Sequence, residues 1–126
     1  EASVTVAFRI WADEDGETHL ADIELDFRPT DFVPPAPPVM LTTPQPATGY
    51  AFEQVPPGWN GDWHHAPGRV LAVFLAGSGK IRASDGDTRP LAAGTFLLAE
   101  DTTGEGHITT VTGPEEMLVV IVNLPD

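Results

Sequence analysis

Apolar residues recur at every second position through most of this chain, in short runs cut apart by glycine-rich turns. Side chains alternate between the two faces of an extended strand, so this period predicts half-buried strands and argues against amphipathic helices. V-T-V-A-F-R-I at 4–10 places Val4, Val6, Phe8 and Ile10 on one side. D-E-D-G at 13–16 is a turn signal, and H-L-A-D-I-E-L-D-F then alternates Ile23, Leu25 and Phe27 with acids. Together they predict an N-terminal hairpin within residues 1–28. R-V-L-A-V-F-L-A at 69–76 is a fully apolar strand ended by G-S-G, and K-I-R-A-S at 80–84 turns through D-G-D into T-R-P-L. A-A-G-T at 92–95 leads into F-L-L-A-E, D-T-T-G-E-G at 101–106 is a loop, and H-I-T-T-V-T and M-L-V-V-I-V-N-L close the chain. No stretch carries a helical period. Many short strands with such turns predict an all-β sandwich or barrel.

Proline organises the middle. Nine of the 13 prolines fall between Pro29 and Pro57, and a residue without an amide N–H cannot sit inside a ladder. Residues 29–57 therefore read as an extended wrapping segment with edge strands. A linker between domains fits less well, because the hairpin alone is too small to fold stably. The expected organisation is one domain over 1–126: hairpin 1–28, wrapping segment 29–57 and barrel 58–126. Six basic residues stand against 19 acidic ones, a formal charge of −13. That surface repels phosphate backbones and anionic headgroups, which argues against nucleic-acid and membrane partners. The absence of cysteine removes disulfides, thiolate metal sites and cysteine nucleophiles. With no apolar run of bilayer length and no leader pattern at the first residues, the expected compartment is the cytoplasm.

G-D-W-H-H-A-P-G-R-V at 61–70 sets two histidines side by side. Around them runs a spacing: Gly58, five residues, His64-His65-Ala66, three residues, Val70, six residues, Gly77. A second spacing runs from Gly86 through Ala92-Ala93-Gly94 and Leu97 to Asp101. Over roughly residues 50–124 this resembles the two motifs of the cupins. The resemblance implies an all-β, cupin-like jelly-roll β-barrel, here with an N-terminal β-hairpin. In metal-binding cupins two histidines, a glutamate and a further histidine face the interior as ligands. Of those positions only His64 keeps its ligand; Ala66, Val70 and Leu97 cannot coordinate, and His65 cannot replace Ala66, because adjacent residues on a strand point to opposite faces. The expectation is therefore no metal cofactor. The alternative is a divalent transition metal (Fe, Zn, Mn, Ni or Cu) held by His64, His107 and Asp101, a set of two histidines and a carboxylate. Two registers are open for His107: paired with Asp101 it faces inward, paired with Glu100 outward.

What remains is an apolar interior with a few polar groups, which suits a small organic ligand. Val70, Ala72 and Phe74 line it from one strand with Leu97 opposite, and Trp59, Trp63, Tyr50, Phe52 and Phe96 are candidates for walls or lid. Imidazole exchanges protons near neutrality, so His64 is the central candidate, supported by His107, Asp101 and Glu53. Against this stand plainer roles: tryptophans as core, His19 and His65 at the surface, His64 bonded to a backbone carbonyl. Some metal-free cupins work by histidine-centred acid–base chemistry, so the resemblance implies an isomerase, cyclase or lyase. A metal-dependent, oxygenase-like cupin and a non-enzymatic ligand-binding protein are the alternatives. Related small cupins share strands between subunits, which implies a homodimer.

Overall fold

The computed structural model describes residues 6–126. Eleven strands follow in order: β1 (Val6–Ala12), β2 (Thr18–Asp22), β3 (Arg28–Thr30), β4 (Val39–Leu41), β5 (Gly49–Val55), β6 (Val70–Ala76), β7 (Ser78–Ala83), β8 (Thr88–Ala92), β9 (Thr95–Ala99), β10 (His107–Val111) and β11 (Met117–Asn123). The described residues contain no helix, hence none long and apolar enough to cross a membrane. A six-stranded sheet has the order β2-β1-β9-β6-β11-β5 and faces a three-stranded sheet ordered β10-β7-β8. The architecture is all-β and jelly-roll-like.

Alternation explains which side chains meet between the sheets. From the large sheet Phe8, Ile10, Ala72, Phe74, Leu97, Ala99, Met117 and Val119 point inward; Ile81, Ala83, Leu91 and Val111 answer them from the small one. Ile10, Ile81 and Ala83 are wholly removed from water, and burying each of the two isoleucines contributes about 1.5–3 kcal/mol. β6 and β11 are apolar on both faces because they lie at the centre of the large sheet. Their outward residues Leu71 and Val122 are half-buried, and Leu71 shares an outer groove with Thr42, Gln45 and Pro46 of the proline-rich segment. That segment contributes the small β3–β4 ribbon. Pro90 stands in β8, the edge of its sheet, where a missing amide costs no ladder bond.

The N-terminal hairpin forms, with Ile10 opposite Leu20, and β1 then runs parallel to β9, extending the large sheet. Val4, expected on the inward face, lies outside the described residues. β2 ends at Asp22, short of the alternation in the sequence, and Leu25 and Phe27 are exposed. Asp22 already pairs with Phe8, so only two described residues of β1 remain beyond it.

His19 pins this hairpin. Its Nε2 lies 2.8 Å from Asp13 Oδ2 and its Nδ1 2.9 Å from Asp85 Oδ2, in the turn between β7 and β8. The hydrogen bond to Asp13 raises the His19 pKa, with Asp85 adding to it, and the bond from His19 lowers that of Asp13. A histidine with a raised folded pKa gives stability that is full below its ordinary value of 6.5 and lost as pH rises through the raised one. Asp13 works in the opposite sense, full above 3.8 and lost as pH falls through its lowered value. Hairpin stability should therefore peak between those ordinary values and decline on both sides. Amide exchange of β1 and β2 across pH checks this, and His19→Gln should flatten the alkaline decline.

Candidate functional site

The chain must cross from the large sheet to the small one after β9, and residues 100–106 make the crossing. At its start Glu100 turns outward, where Arg9 Nε donates to Oε1 at 2.8 Å and Arg69 Nη2 to Oε2 at 3.0 Å. The next residue turns inward. Asp101 is fully buried, and its carbonyl accepts the Ala66 N–H at 2.9 Å. At the end of the crossing Gly106 has φ +81°, and a Cβ there would stand 2.3 Å from the His64 carbonyl carbon and oxygen. Only glycine lets the two backbones approach this closely. The approach creates a bridge: the His64 N–H donates to the His107 carbonyl at 3.1 Å, and the His107 N–H to the His64 carbonyl at 2.9 Å.

The hairpin holds this crossing from behind. Glu105 N–H donates to the Gly16 carbonyl at 2.8 Å, and the buried Thr18 hydroxyl donates to the Gly106 carbonyl at 2.7 Å.

The bridge sets two imidazoles 4.8 Å apart between ring centroids, inclined at 56°. His107 is 7% exposed, and its Nδ1 lies 2.6 Å from Asp101 Oδ2. An ionised carboxylate only accepts, so Nδ1 carries the hydrogen, and in the neutral imidazole Nε2 keeps its lone pair. His64 is exposed at the mouth and its Nδ1 lies 2.7 Å from the Asp62 carbonyl oxygen. A carbonyl also only accepts, so His64 has the same tautomer. Asp62 thus contributes its backbone rather than its carboxylate. Asp101 Oδ1 is buried without a hydrogen-bond partner, so the whole acceptor capacity used by this carboxylate is spent on His107.

Both rings line a cavity of about 270 Å³ between the sheets. Its walls are Val55, Ala66, Val70, Ala72, Phe74, Leu97, Ala99, Met117, Val119 and Ile121, with Glu53, Trp59, Pro67 and Thr109 completing it. Of the residues singled out in the sequence, Trp59, Val70, Ala72, Phe74, Leu97, His64, His107 and Glu53 are brought together here. Glu53 faces inward because it pairs with Val119 in the β5–β11 ladder, and it is exposed at the rim.

Other expectations need correcting. Tyr50 and Phe52, expected as cavity walls, stand on the opposite face of β5 and are 73% and 69% exposed; Ala51, Glu53 and Val55 are the inward set. Trp63 is exposed and does not line the cavity, and Phe96 points outward beside Leu97. The metal set of His64, His107 and Asp101 does not converge, because Asp101 stands behind the His107 ring and bonds its Nδ1. Among the described residues no group of three or more His, Cys, Asp or Glu is placed to hold a metal ion. The donor set therefore does not fit the metal that the cupin resemblance would bring. The register alternatives for His107 also resolve in another way: β10 pairs with β7, His107 opposite Ala83, and not with β9. His107 faces inward through that ladder and meets Asp101 by side chain alone. Val55, Ala66, Pro67, Ala99, Thr109, Met117, Val119 and Ile121 also line the cavity and are not among the residues the sequence singles out; for those of β11, the apolar run on both faces hides which side is inner.

Among solved structures, a conserved protein of unknown function from Streptococcus pyogenes, SPY1581, is 20% identical over 68% of this chain and 72% of that chain, with a TM-score of 0.48. No protein-family model matches the sequence, and no curated protein matches it.

Proposed function

We propose that the cavity binds a small, largely apolar organic molecule and that His107 moves a proton on it without a metal, in an isomerisation, cyclisation or elimination. The observation that carries this reading is the buried Asp101–His107 pair with Nε2 left as the acceptor toward an apolar cavity. Nε2 takes a proton from the bound molecule, and Asp101, already bonded to Nδ1, sits where its negative charge favours the imidazolium that forms. The returning proton goes to a second position of the substrate from the same nitrogen. His64, at the mouth with the same tautomer, is the second group able to exchange a proton. The central role thus falls to His107 rather than to His64.

Divergent cupin ancestry is part of this proposal. The four glycines on which the motif spacing rests, Gly58, Gly77, Gly86 and Gly94, all adopt positive φ, between 78° and 96°. At such φ a turn favours glycine over residues with a Cβ.

The test is a titration of ¹⁵N-labelled protein with a panel of small cyclic ketones, with and without an amino group, in D₂O, following the His107 ring and the exchange of ketone α-protons. Catalysed exchange that survives a chelator and disappears in His107→Gln is the expected result. Exchange abolished by the chelator would favour a metal-dependent enzyme. Binding that shifts the ring without any exchange would favour a carrier, and no shift at His107 with any ketone would overturn the site.

A further inference from the structure

Acceptors outnumber donors among the polar side chains that line the cavity. With both Nδ1 atoms occupied, His64 and His107 each present Nε2 as an acceptor. Glu53 adds a carboxylate at the rim that makes no hydrogen bond or ion pair among the described residues, and no Lys or Arg lines the cavity. Arg69, next in the chain to Val70, does not supply one. Arg9 and Arg69 both bond Glu100 on the outer face, and Arg69 Nη1 also donates to the Pro125 carbonyl at 2.9 Å. The only side chains able to donate are the Trp59 indole N–H and the Thr109 hydroxyl. An anionic ligand would find no counter-charge here, and a neutral acceptor such as an ether would leave the cavity's own acceptors unsatisfied.

A donor-rich cation meets each of these features. An ammonium has three N–H donors and no acceptor. Three acceptors stand around the cavity, one of them charged, and Trp59, 40% exposed, lines the same cavity with an indole, the ring type that attracts a cation most strongly. The apolar walls take the rest of the molecule. At about 270 Å³ the volume falls near the lower end of ligand cavities, so the occupant has about one ring and a short side chain. The net charge of −13 draws cations toward the protein as a whole.

We propose that this cavity selects small apolar molecules ending in a protonated amine, bound by Glu53 and the two imidazole Nε2 atoms with Trp59 beside them. The inference rests on the cavity being a ligand site, and goes beyond it in naming the charge and class of the ligand.

The probes are benzylammonium, benzyl alcohol and benzoate, which share one ring and differ in charge. They are titrated at about 0.15 M salt, where diffuse surface attraction is largely screened, with Trp fluorescence and the His107 ring signals as readouts. Benzylammonium should bind about tenfold more tightly than benzyl alcohol, with benzoate weakest. Glu53→Gln should remove most of that preference, while Glu14→Gln, an exposed acid in the β1–β2 turn, should leave it intact. Benzyl alcohol or benzoate binding as tightly as the amine would overturn the charge assignment and leave the cavity a ligand site. A preference equally lost in Glu14→Gln, or unchanged in Glu53→Gln, would also overturn it. No response at the His107 ring to any probe would remove the ligand site and this inference together.

Discussion

An Asp101→Asn protein is expected to fold as the parent does and to lose proton-transfer activity by about 10²- to 10⁴-fold, the range that one positioned acid–base group supplies. The two side chains have nearly the same shape, so the packing around this fully buried position persists. What changes is the partner of His107 Nδ1. The amide carries no charge to favour the imidazolium, and its NH₂ can donate to Nδ1, which moves the ring hydrogen to Nε2. The cavity would then face a donor where it had faced an acceptor. Exchanging a charged for a neutral hydrogen bond costs about 1 kcal/mol of stability, far less than the 2.7–5.5 kcal/mol or so by which the barrier rises. Long-range ¹H–¹⁵N correlations of the imidazole check the tautomer independently of any substrate. A parent ring protonated at Nε2, or full activity in the variant, would remove Asp101 from the account.

Gly106→Ala should be the most damaging single methyl group in the site. Two penalties coincide at this position. The φ of +81° is left-handed, which costs a residue with a Cβ about 1–2 kcal/mol. The new atom also lands 2.3 Å from the backbone of His64 and 2.6 Å from the amide nitrogen of His65, where no flexible side chain can give way. The bridge must open, and its two hydrogen bonds, worth about 0.5–1.5 kcal/mol each, go with it. A loss of at least about 3 kcal/mol in urea unfolding is expected, with the two histidine rings separated. Gly68→Ala is the control: open space surrounds that position and its φ is not left-handed. A change there should stay within about 0.5 kcal/mol.

The positions of the strands were legible in this sequence because period-two patterning and glycine turns act locally. β1, β6, β9 and β11 all lie where alternation or an apolar run marks them. Facing was less legible. In β5 the aromatic residues at 50 and 52 look like the core set, yet the ladder to β11 turns Ala51, Glu53 and Val55 inward. Neither strand could reveal this alone, since β11 is apolar on both sides and accepts either register. His107 was harder for a different reason. Its direction depends on a change of sheet within residues 100–106, and a short loop carries no pattern that says which sheet the chain enters next. The partnership with Asp101 is a product of that crossing, so only the folded chain displays it.

The clasp of Gly16 and Thr18 on the crossing loop means that residues 58–126 do not hold their cavity unaided. They supply the two imidazoles, the bridge between them and the carboxylate, but the loop that delivers His107 to the bridge is braced from behind by the first twenty residues. A fragment trimmed to that half would keep both rings and lose the brace, so a change at the β1–β2 turn is expected to shift the rings without touching the cavity.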